Sequence, residues 1–294
     1  AETTADATTT TTATTVVEIP ETDMPTLSVT EEEAALFKVT PLTIKVGEES
    51  VKGLSVSGYK GTDTDVVIPD TLIDKKGNEL PVFGIADGAF SGNDTITSVK
   101  MPETVTTIGA NAFSGCSSLT MIRIPDGVTY IGKSAFAGCI GLTSLQLPDS
   151  VEVIDDEAFS GCVNLTMVQI PDSVKRVGEN AFGSCTGLIS TRVPSGLQEI
   201  GRGVFAGCDN LHRAIVPYPR KVLNLELLHS CRELTDMMVS ENSHEHSAKN
   251  GVLFNKEQTE LVFYPMGKKE GAYLMPEGVR EIASQAFYGC EHLK

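Results

Sequence analysis

The chain has 294 residues, of which 40% are hydrophobic, and its 23 Lys and Arg against 39 Asp and Glu give a formal net charge of −16. An acidic surface repels phosphate backbones, so we do not expect nucleic acid as a partner. No apolar run in the sequence approaches the roughly 20 residues that a membrane-spanning helix requires, so we expect no transmembrane segment.

The chain begins with AETTADATTTTTATT, which consists almost entirely of Thr, Ala and acidic residues. Such a segment cannot offset its ordering entropy by burying apolar surface, so we predict that residues 1–25 are disordered. Thr-rich tails usually act as surface stalks or linkers, and a flexible terminus without a role accounts for the composition as well. In residues 26–80, LFKVTPLTIKV and GLSVSGY predict strands that cap the next region, followed by an expanded first coil.

Residues 81–239 contain an internal repeat of 23 residues. Its unit reads I-P-x-x-V-x-x-I-G-x-x-A-F-x-G-C-x-x-L-x-x-I-x. Three residue types keep this step: the cysteines Cys116, Cys139, Cys162, Cys185, Cys208 and Cys231, the prolines Pro102, Pro125, Pro148, Pro171, Pro194 and Pro217, and the aromatics Phe90, Phe113, Phe136, Phe159, Phe182 and Phe205. The period predicts a stacked array in which each coil buries one face against its neighbours.

Each unit has an extended part and a turning part. In LTMIRIP (119–125), the apolar residues have the spacing of a short solenoid strand, and the following VTYIG predicts a second extended segment that ends at Gly132. KSAFAGC predicts one helical turn with its Ala-Phe pair buried. The sequence therefore predicts an α/β repeat in which strands alternate with short helical turns.

The unit closely resembles the BspA-like leucine-rich-repeat family of bacterial and protozoan surface proteins, because the I-P, I-G, A-F and G-C pairs occur together from about residue 65 to 294. The resemblance implies a right-handed solenoid of about eight coils, with a parallel β-sheet on one face and short helical turns on the other. It also implies a secreted or cell-surface protein that mediates adhesion to an extracellular protein or glycan, including one of host origin. Asn93 replaces the Cys in the first coil, and Leu227 and Leu228 replace one Ala-Phe pair.

The spacing changes in residues 240–275, where 59 residues separate Cys231 from Cys290 and the period alone predicts 46. GVLFNKEQTELVFYP (251–265) has two alternating runs around a polar loop, which predicts an inserted β-hairpin that projects from the solenoid. Its aromatic residues either form an exposed binding patch or pack on the adjoining coils; they are Phe254, Phe263 and Tyr264. Residues 276–294 resume the pattern and form a last, incomplete repeat.

Side chains that could carry chemistry are few. We expect the cysteines to be buried, reduced thiols, because stacked thiols that point into a core are poor partners for disulfides or tetrahedral zinc. SHEHS (243–247) contains two imidazoles and one acid, but a metal site there needs a third ligand from elsewhere. The sequence has no G-x-S-x-G elbow and no phosphate-binding loop. It therefore predicts no enzyme, no metal and no cofactor.

The best candidate site is a row of outward residues on the strand-bearing, concave face. In each L-x-x-I-x-I, the residue between the last two apolar positions must point outward, because neighbours on a strand alternate. The row contains Lys100, Arg123, Gln146, Gln169 and Arg192, followed by Ile215 and Met238. Beside it run a threonine row, Thr97, Thr120, Thr143 and Thr166, and an acidic row, Glu103, Asp126, Asp149 and Asp172.

The outward row has three basic residues and no acid on an acidic protein, so we predict that it binds the ligand. Two alternative hypotheses remain open. The threonines and acids would equally serve the sheet itself, with each acid pairing a neighbouring Lys or Arg. The whole array would equally serve as a passive spacer or display module at the cell surface.

Overall fold

The computed structural model describes residues 31–192, 194–216, 225–240 and 243–294. The predicted disorder of residues 1–25 and the predicted repeat position Pro217 lie outside the described residues. The described chain is a β-solenoid of about eight turns of roughly 23 residues, with little helix. Its α-helix, α1, spans Glu31–Ala34.

A long antiparallel hairpin begins the solenoid, as the N-terminal strand pattern predicts. It pairs β1 (Phe37–Val46) with β2 (Glu49–Tyr59), and β2 then pairs in parallel with β5 (Glu79–Ile85). Along the chain, β2 and β5 are separated by β3 (Asp65–Val67) and β4 (Thr71–Ile73). β4 pairs antiparallel with β5. The apolar side chains of β2 therefore cover the first coil of the stack.

One face of the solenoid is formed by the strand that precedes each repeat proline. We call it the front face, and its strands are β3, β6 (Ser98–Lys100), β8 (Met121–Arg123), β10 (Leu145–Gln146), β12 (Met167–Gln169), β14 (Ser190–Arg192), β16 (Arg213–Val216) and β17 (Asp236–Val239). They form two parallel sheets, β3-β6-β8 and β10-β12-β14-β16-β17. Each pair of neighbouring strands joins equivalent residues of successive coils.

A separate sheet is formed by the strands that follow the prolines, where the sequence predicts a second extended segment. Its short strands are β7 (Thr107–Ile108), β9 (Tyr130–Ile131), β11 (Val153–Ile154), β13 (Arg176–Val177) and β15 (Glu199–Ile200), and they continue the sheet of β1, β2 and β5. We call this the back sheet. Its strands β7 to β13 each bury one residue, such as Ile131 and Ile154, because alternate side chains face the core, and Ile200 of β15 is half-buried.

The predicted helical turns are not confirmed, since the described regular coils have hydrogen-bonded turns at the Ala-Phe positions. Two residues per turn adopt a left-handed conformation, for example Asn111 with φ 54° and Gly115 with φ 73°. The N–H groups of Asn111, Phe113 and Gly115 donate to the next coil, while those between them donate within the turn. An α-helix requires a negative φ throughout, so the left-handed residues on either side of the Ala-Phe pair exclude a helical turn.

Phenylalanine and cysteine columns fill the core, as the repeat predicts. From Phe90 to Phe159 the rings stack at 5.0–5.2 Å, and all four are buried. Five repeat thiols donate to the carbonyl of the phenylalanine 26 residues earlier, as Cys116 does to Phe90 at 3.2 Å; they are Cys116, Cys139, Cys162, Cys185 and Cys208. Burial raises the pKa of the Cys116 thiol to about 11. Six thiols are buried and Cys290 is half-buried, so the core position holds for six of the seven.

The C-terminal region departs from this regularity. A 3-10 helix spans Leu225–Leu228, and the strands are β18 (His246–Lys249), β19 (Val252–Asn255), β20 (Glu260–Phe263) and β21 (Glu281–Ile282). β18, β19 and β20 pair antiparallel in chain order, whereas β20 pairs in parallel with β21.

The predicted β-hairpin is therefore present as β19 and β20, but it does not project. The Tyr264 N–H donates to Ala286 O at 2.7 Å, as the Phe113 N–H does to Ala135 O. Tyr264 thus takes the place of the phenylalanine in a coil of altered length. The prediction of a projecting insertion is wrong, because the hairpin's apolar side chains on both faces are needed to fill the stack.

Candidate functional site

The predicted outward row lies on the front face with its members side by side. The parallel register pairs Lys100 with Arg123, Gln146 with Gln169, and Gln169 with Arg192. Alternation accounts for this placement, since the preceding residue of each strand, such as Val99 or Val168, is fully buried. The register continues from Arg192 to Ile215 and Met238.

The arginines of the row are neutralised by the acidic row. Arg192 makes a two-pronged contact with Asp172, with Nη1–Oδ1 at 3.0 Å and Nη2–Oδ2 at 2.7 Å. Arg123 contacts Glu103 closely and lies 3.8 Å from Asp126. Partial burial raises the pKa of Asp172, but the hydrogen bonds from Arg192 and the Ser195 N–H outweigh it and hold this pKa below its usual value. The row is therefore not the basic stripe that its sequence indicates.

The middle of the row differs from its arginines. The side chains of Gln146, Asp149 and Gln169 make no hydrogen bond or ion pair with any described residue. They line a groove of about 440 Å³ together with Met167 and Arg192. We call Gln146, Asp149 and Gln169 the amide groove. The two amides there can donate to and accept from a bound molecule, and the carboxylate can accept from it.

The threonine row holds the coils together. The hydroxyl of Thr120 donates to Thr97 O at 3.2 Å, and that of Thr166 donates to Thr143 O at 3.2 Å. The backbone N–H groups of Thr120 and Thr166 make parallel bonds to the same carbonyls. These two hydroxyls, like that of Thr97, are therefore engaged between coils, whereas the Thr143 hydroxyl bonds to no described residue.

The C-terminal end of the front face is apolar. Met238 is 41% exposed, Ile215 is half-buried, and Ile189 replaces the threonine of its row with 55% exposure. The sequence pattern places Ile215 and Met238 in the outward row. It did not single out Ile189, which extending the threonine row by one more step of 23 residues would have found.

The alternative aromatic patch is wrong as a surface. Phe254 and Tyr264 are fully buried, and Phe263 is 2% exposed. Phe263 packs in the main core, whereas Phe254 and Tyr264 pack in a second core with the last coil. Of the expected alternatives, packing on the adjoining coils is the one that the structure shows, because both faces of the hairpin are covered.

The SHEHS loop does not assemble a metal site within the described residues. His244 and Glu245 are exposed and His246 is half-buried at the start of β18. No third ligating side chain of the described chain joins them. Burial lowers the pKa of His246 below its usual value.

Within the described residues, no helix is both long and apolar enough to cross a membrane.

Comparisons with known proteins agree with this architecture. A leucine rich cell surface protein from Faecalibacterium prausnitzii is 26% identical, with a TM-score of 0.53, and the match covers 86% of this chain and 69% of that one. A leucine rich repeat protein from T. pallidum is 32% identical, with a TM-score of 0.51, over 60% of this chain and 89% of that one. A Bacteroides ovatus repeat protein, at 23% identity and a TM-score of 0.50 over 86% of this chain and 79% of that one, shares the fold.

No curated protein sequence matches the chain. The family described as BspA type leucine rich repeat region matches residues 83–212 and 152–269 with six copies. These ranges cover more than half of the chain, and they include the whole amide groove. This protein therefore belongs to the BspA-type leucine-rich-repeat family.

Proposed function

We propose that this protein is a secreted or cell-surface binding module that holds an extracellular protein or glycan in the amide groove of its front face. The cell-surface description of the Faecalibacterium prausnitzii relative supports this location. The repeat architecture supports binding, because parallel coils present equivalent side chains in a long, rigid row. No catalytic role is proposed.

The observation that carries the proposal is the unpaired state of the amide groove. On either side of the groove, Arg123 and Arg192 bind acids, and the hydroxyls of Thr120 and Thr166 bind carbonyls of the preceding coil. Gln146, Asp149 and Gln169 keep their full hydrogen-bonding capacity within the described residues. Unengaged donors and acceptors can pair with a ligand without first breaking a contact within the protein.

Ion pairs flank the amide groove on either side. The two-pronged Arg192–Asp172 contact fixes both side chains at one end, and the Arg123–Glu103 contact does so at the other. Asp172 also accepts the Ser195 N–H at 2.8 Å, so its position is tied to the backbone of the next coil. The charged pairs thus lie at the two ends of the groove, and the amides between them form the proposed contact surface.

Binding is tested by replacing Arg123, Gln146, Gln169 and Arg192 together with Ala. Wild-type protein and the variant are applied to a glycan array and to immobilised extracellular matrix and mucosal proteins. Binding should occur with wild type and be abolished in the variant. A double variant, Gln146→Ala with Gln169→Ala, should lose most of it, because hydrogen bonds contribute about 0.5–1.5 kcal/mol each.

A matched control changes Lys175 and Gln198 to Ala, since both are exposed and adjoin the back sheet. Circular dichroism and thermal unfolding must show that all variants fold. If the control binds as well as wild type and the groove variants do not, the site is on the front face. Binding that survives the four substitutions would contradict this proposal, and an absence of any ligand would favour the passive spacer.

A further inference from the structure

We infer that the amide groove takes an extended, basic polypeptide whose apolar side chains rest on Ile215 and Met238. This inference rests on the proposed function and names its ligand class. A glycan becomes an outcome of the test. Three observations carry it: the composition of the front face, its remaining charge, and the apolar surface at its C-terminal end.

The first observation concerns aromatic rings. From Arg123 to Met238, the described outward positions of the front strands carry polar, charged and aliphatic side chains, with no aromatic ring among them. A flat ring is the side chain that covers the apolar face of a sugar, because it offers a large rigid surface at low entropic cost. The front face instead offers methionines, Met121, Met167 and Met238, whose flexible thioethers adapt to varied side chains.

The second observation concerns charge. Among the described residues, the front face from Lys100 to Met238 and the acidic row beside it carry four basic side chains and five carboxylates: Lys100, Arg123, Arg192 and Arg213, with Glu103, Asp126, Asp149, Asp172 and Asp236. Arg192 and Arg213 are each paired with one acid, and Asp149 is exposed without a partner among the described residues. The charge left over is negative and is centred on the groove. It attracts a basic partner, as does the net charge of −16.

The third observation is the apolar step beyond Arg192. Ile215 and Met238 are direct register partners, so they form a continuous apolar surface one strand spacing from Arg192. A polar saccharide gains little by covering such a surface, whereas an aliphatic side chain of a peptide gains from it. From Gln146 to Met238 the row spans four strand spacings, about 19 Å, which about six residues of extended peptide would cover.

The combined pattern defines the partner. Glutamine amides pair with main-chain N–H and C=O groups of an extended chain, Asp149 faces a Lys or Arg, and Met238 with Ile215 covers an apolar residue nearby. The paired arginines exclude an acidic peptide, because an incoming carboxylate would have to displace Asp172 from its two-pronged contact.

The inference is tested with random peptides longer than about six residues, displayed on phage and selected on the immobilised full-length protein, with a glycan array probed in parallel. Selected peptides should be enriched in Lys or Arg together with aliphatic residues. Their affinity for Asp149→Asn should fall up to about fivefold, since exposed ion pairs are weak. For Met238→Ser it should fall about tenfold, and binding should weaken as salt is added.

Two control variants match these changes in type. Glu179→Gln removes an exposed carboxylate next to the back sheet, and Ile140→Ser removes an aliphatic side chain with 44% exposure on a turn. Both should bind the selected peptides as wild type does. Equal losses in control and groove variants would overturn the inference.

The outcomes separate this inference from the proposed function. Saccharides that bind and are lost in the double glutamine variant would leave the groove as the site and overturn the polypeptide as its ligand. Selection of acidic or uncharged peptides, or of no peptide, would likewise overturn it. Selected peptides that bind the double glutamine variant unchanged would contradict both the inference and the proposed site.

Discussion

The regular coils and the last coil use the same residues with different consequences. Phe159 lies between Phe136 and Phe182, at 5.2 Å from each, and is fully buried. Phe287 occupies the same repeat position but is half-buried against Tyr264, also at 5.2 Å. The comparison teaches that the same repeat position contributes differently to the free energy of unfolding in different coils. Its burial depends on the coils stacked on both of its sides.

The hairpin marks the boundary between the two regions. Leu253 and Phe263 face the main core, while Val252, Phe254 and Leu261 face the second core under the last coil. A two-sided sheet of this kind separates two apolar clusters that the regular array would have merged. The last coil is therefore held mainly by the hairpin rather than by a regular neighbour.

The largest expected effect comes from the phenylalanine column. Phe159→Ala should lower the free energy of unfolding by about 3–5 kcal/mol, because the cavity has stacked rings on two sides. Phe287→Ala should cost clearly less, since part of its ring is already in water. Denaturant unfolding of both variants measures the difference. Equal losses in the free energy of unfolding would contradict the conclusion that stacking sets each contribution.

A second pair of variants tests whether the hairpin belongs to the core. Leu261 and Ile282 are direct partners across β20 and β21, yet Leu261 is fully buried and Ile282 is 55% exposed. Leu261→Ala should cost about 2–5 kcal/mol, whereas Ile282→Ala should stay within about 0.5 kcal/mol. The same unfolding measurement applies. A Leu261→Ala variant with unchanged stability would contradict the assignment of the hairpin to the core.

A smaller effect should be stabilising. The Thr191 side chain is 1% exposed, and its hydroxyl has no hydrogen-bond partner within the described residues. Thr191→Val keeps the shape and removes the unsatisfied hydroxyl, so we expect a gain of about 1 kcal/mol in a thermal melt. Thr166→Val provides the contrast, because its hydroxyl bonds to Thr143 O and its loss should be neutral or slightly destabilising. A lower stability of Thr191→Val would show that the Thr191 hydroxyl makes a hydrogen bond in the folded protein.

The smallest expected effect is a pH dependence on the back sheet. Burial raises the pKa of Asp155, but hydrogen bonds from Tyr130 at 2.7 Å and Arg176 at 2.6 Å hold it below the ordinary 3.8. A depressed folded-state pKa stabilises the fold above the unfolded value, so this contribution should disappear as pH falls below about 4. Unfolding of wild type and Asp155→Asn should differ at pH 7 and converge under acid. A difference in stability that does not change with pH would show that the charge of the Asp155 carboxylate is not its cause.

Much of this arrangement could be predicted from the sequence. The 23-residue step aligns the phenylalanines and cysteines of the regular coils in columns, so their burial there follows from periodicity. Alternation along a strand equally places Gln146, Gln169 and their neighbours outward. Two of the outward arginines, however, are neutralised by acids 20 residues earlier in the chain, such as Arg192 by Asp172. The sequence pattern named both rows and left open whether they pair.

What the sequence determined by itself was therefore the direction of each side chain, because direction depends on local backbone geometry repeated in every coil. The tertiary structure decided how groups are shared between coils. The N–H of Phe113 can close a helical turn or donate to Ala135 of the next coil, and only the stack makes the second choice the better one. Likewise, alternation makes the hairpin two-sided, but only the surrounding coils bury both sides, because burial is a property of neighbours and not of the strand.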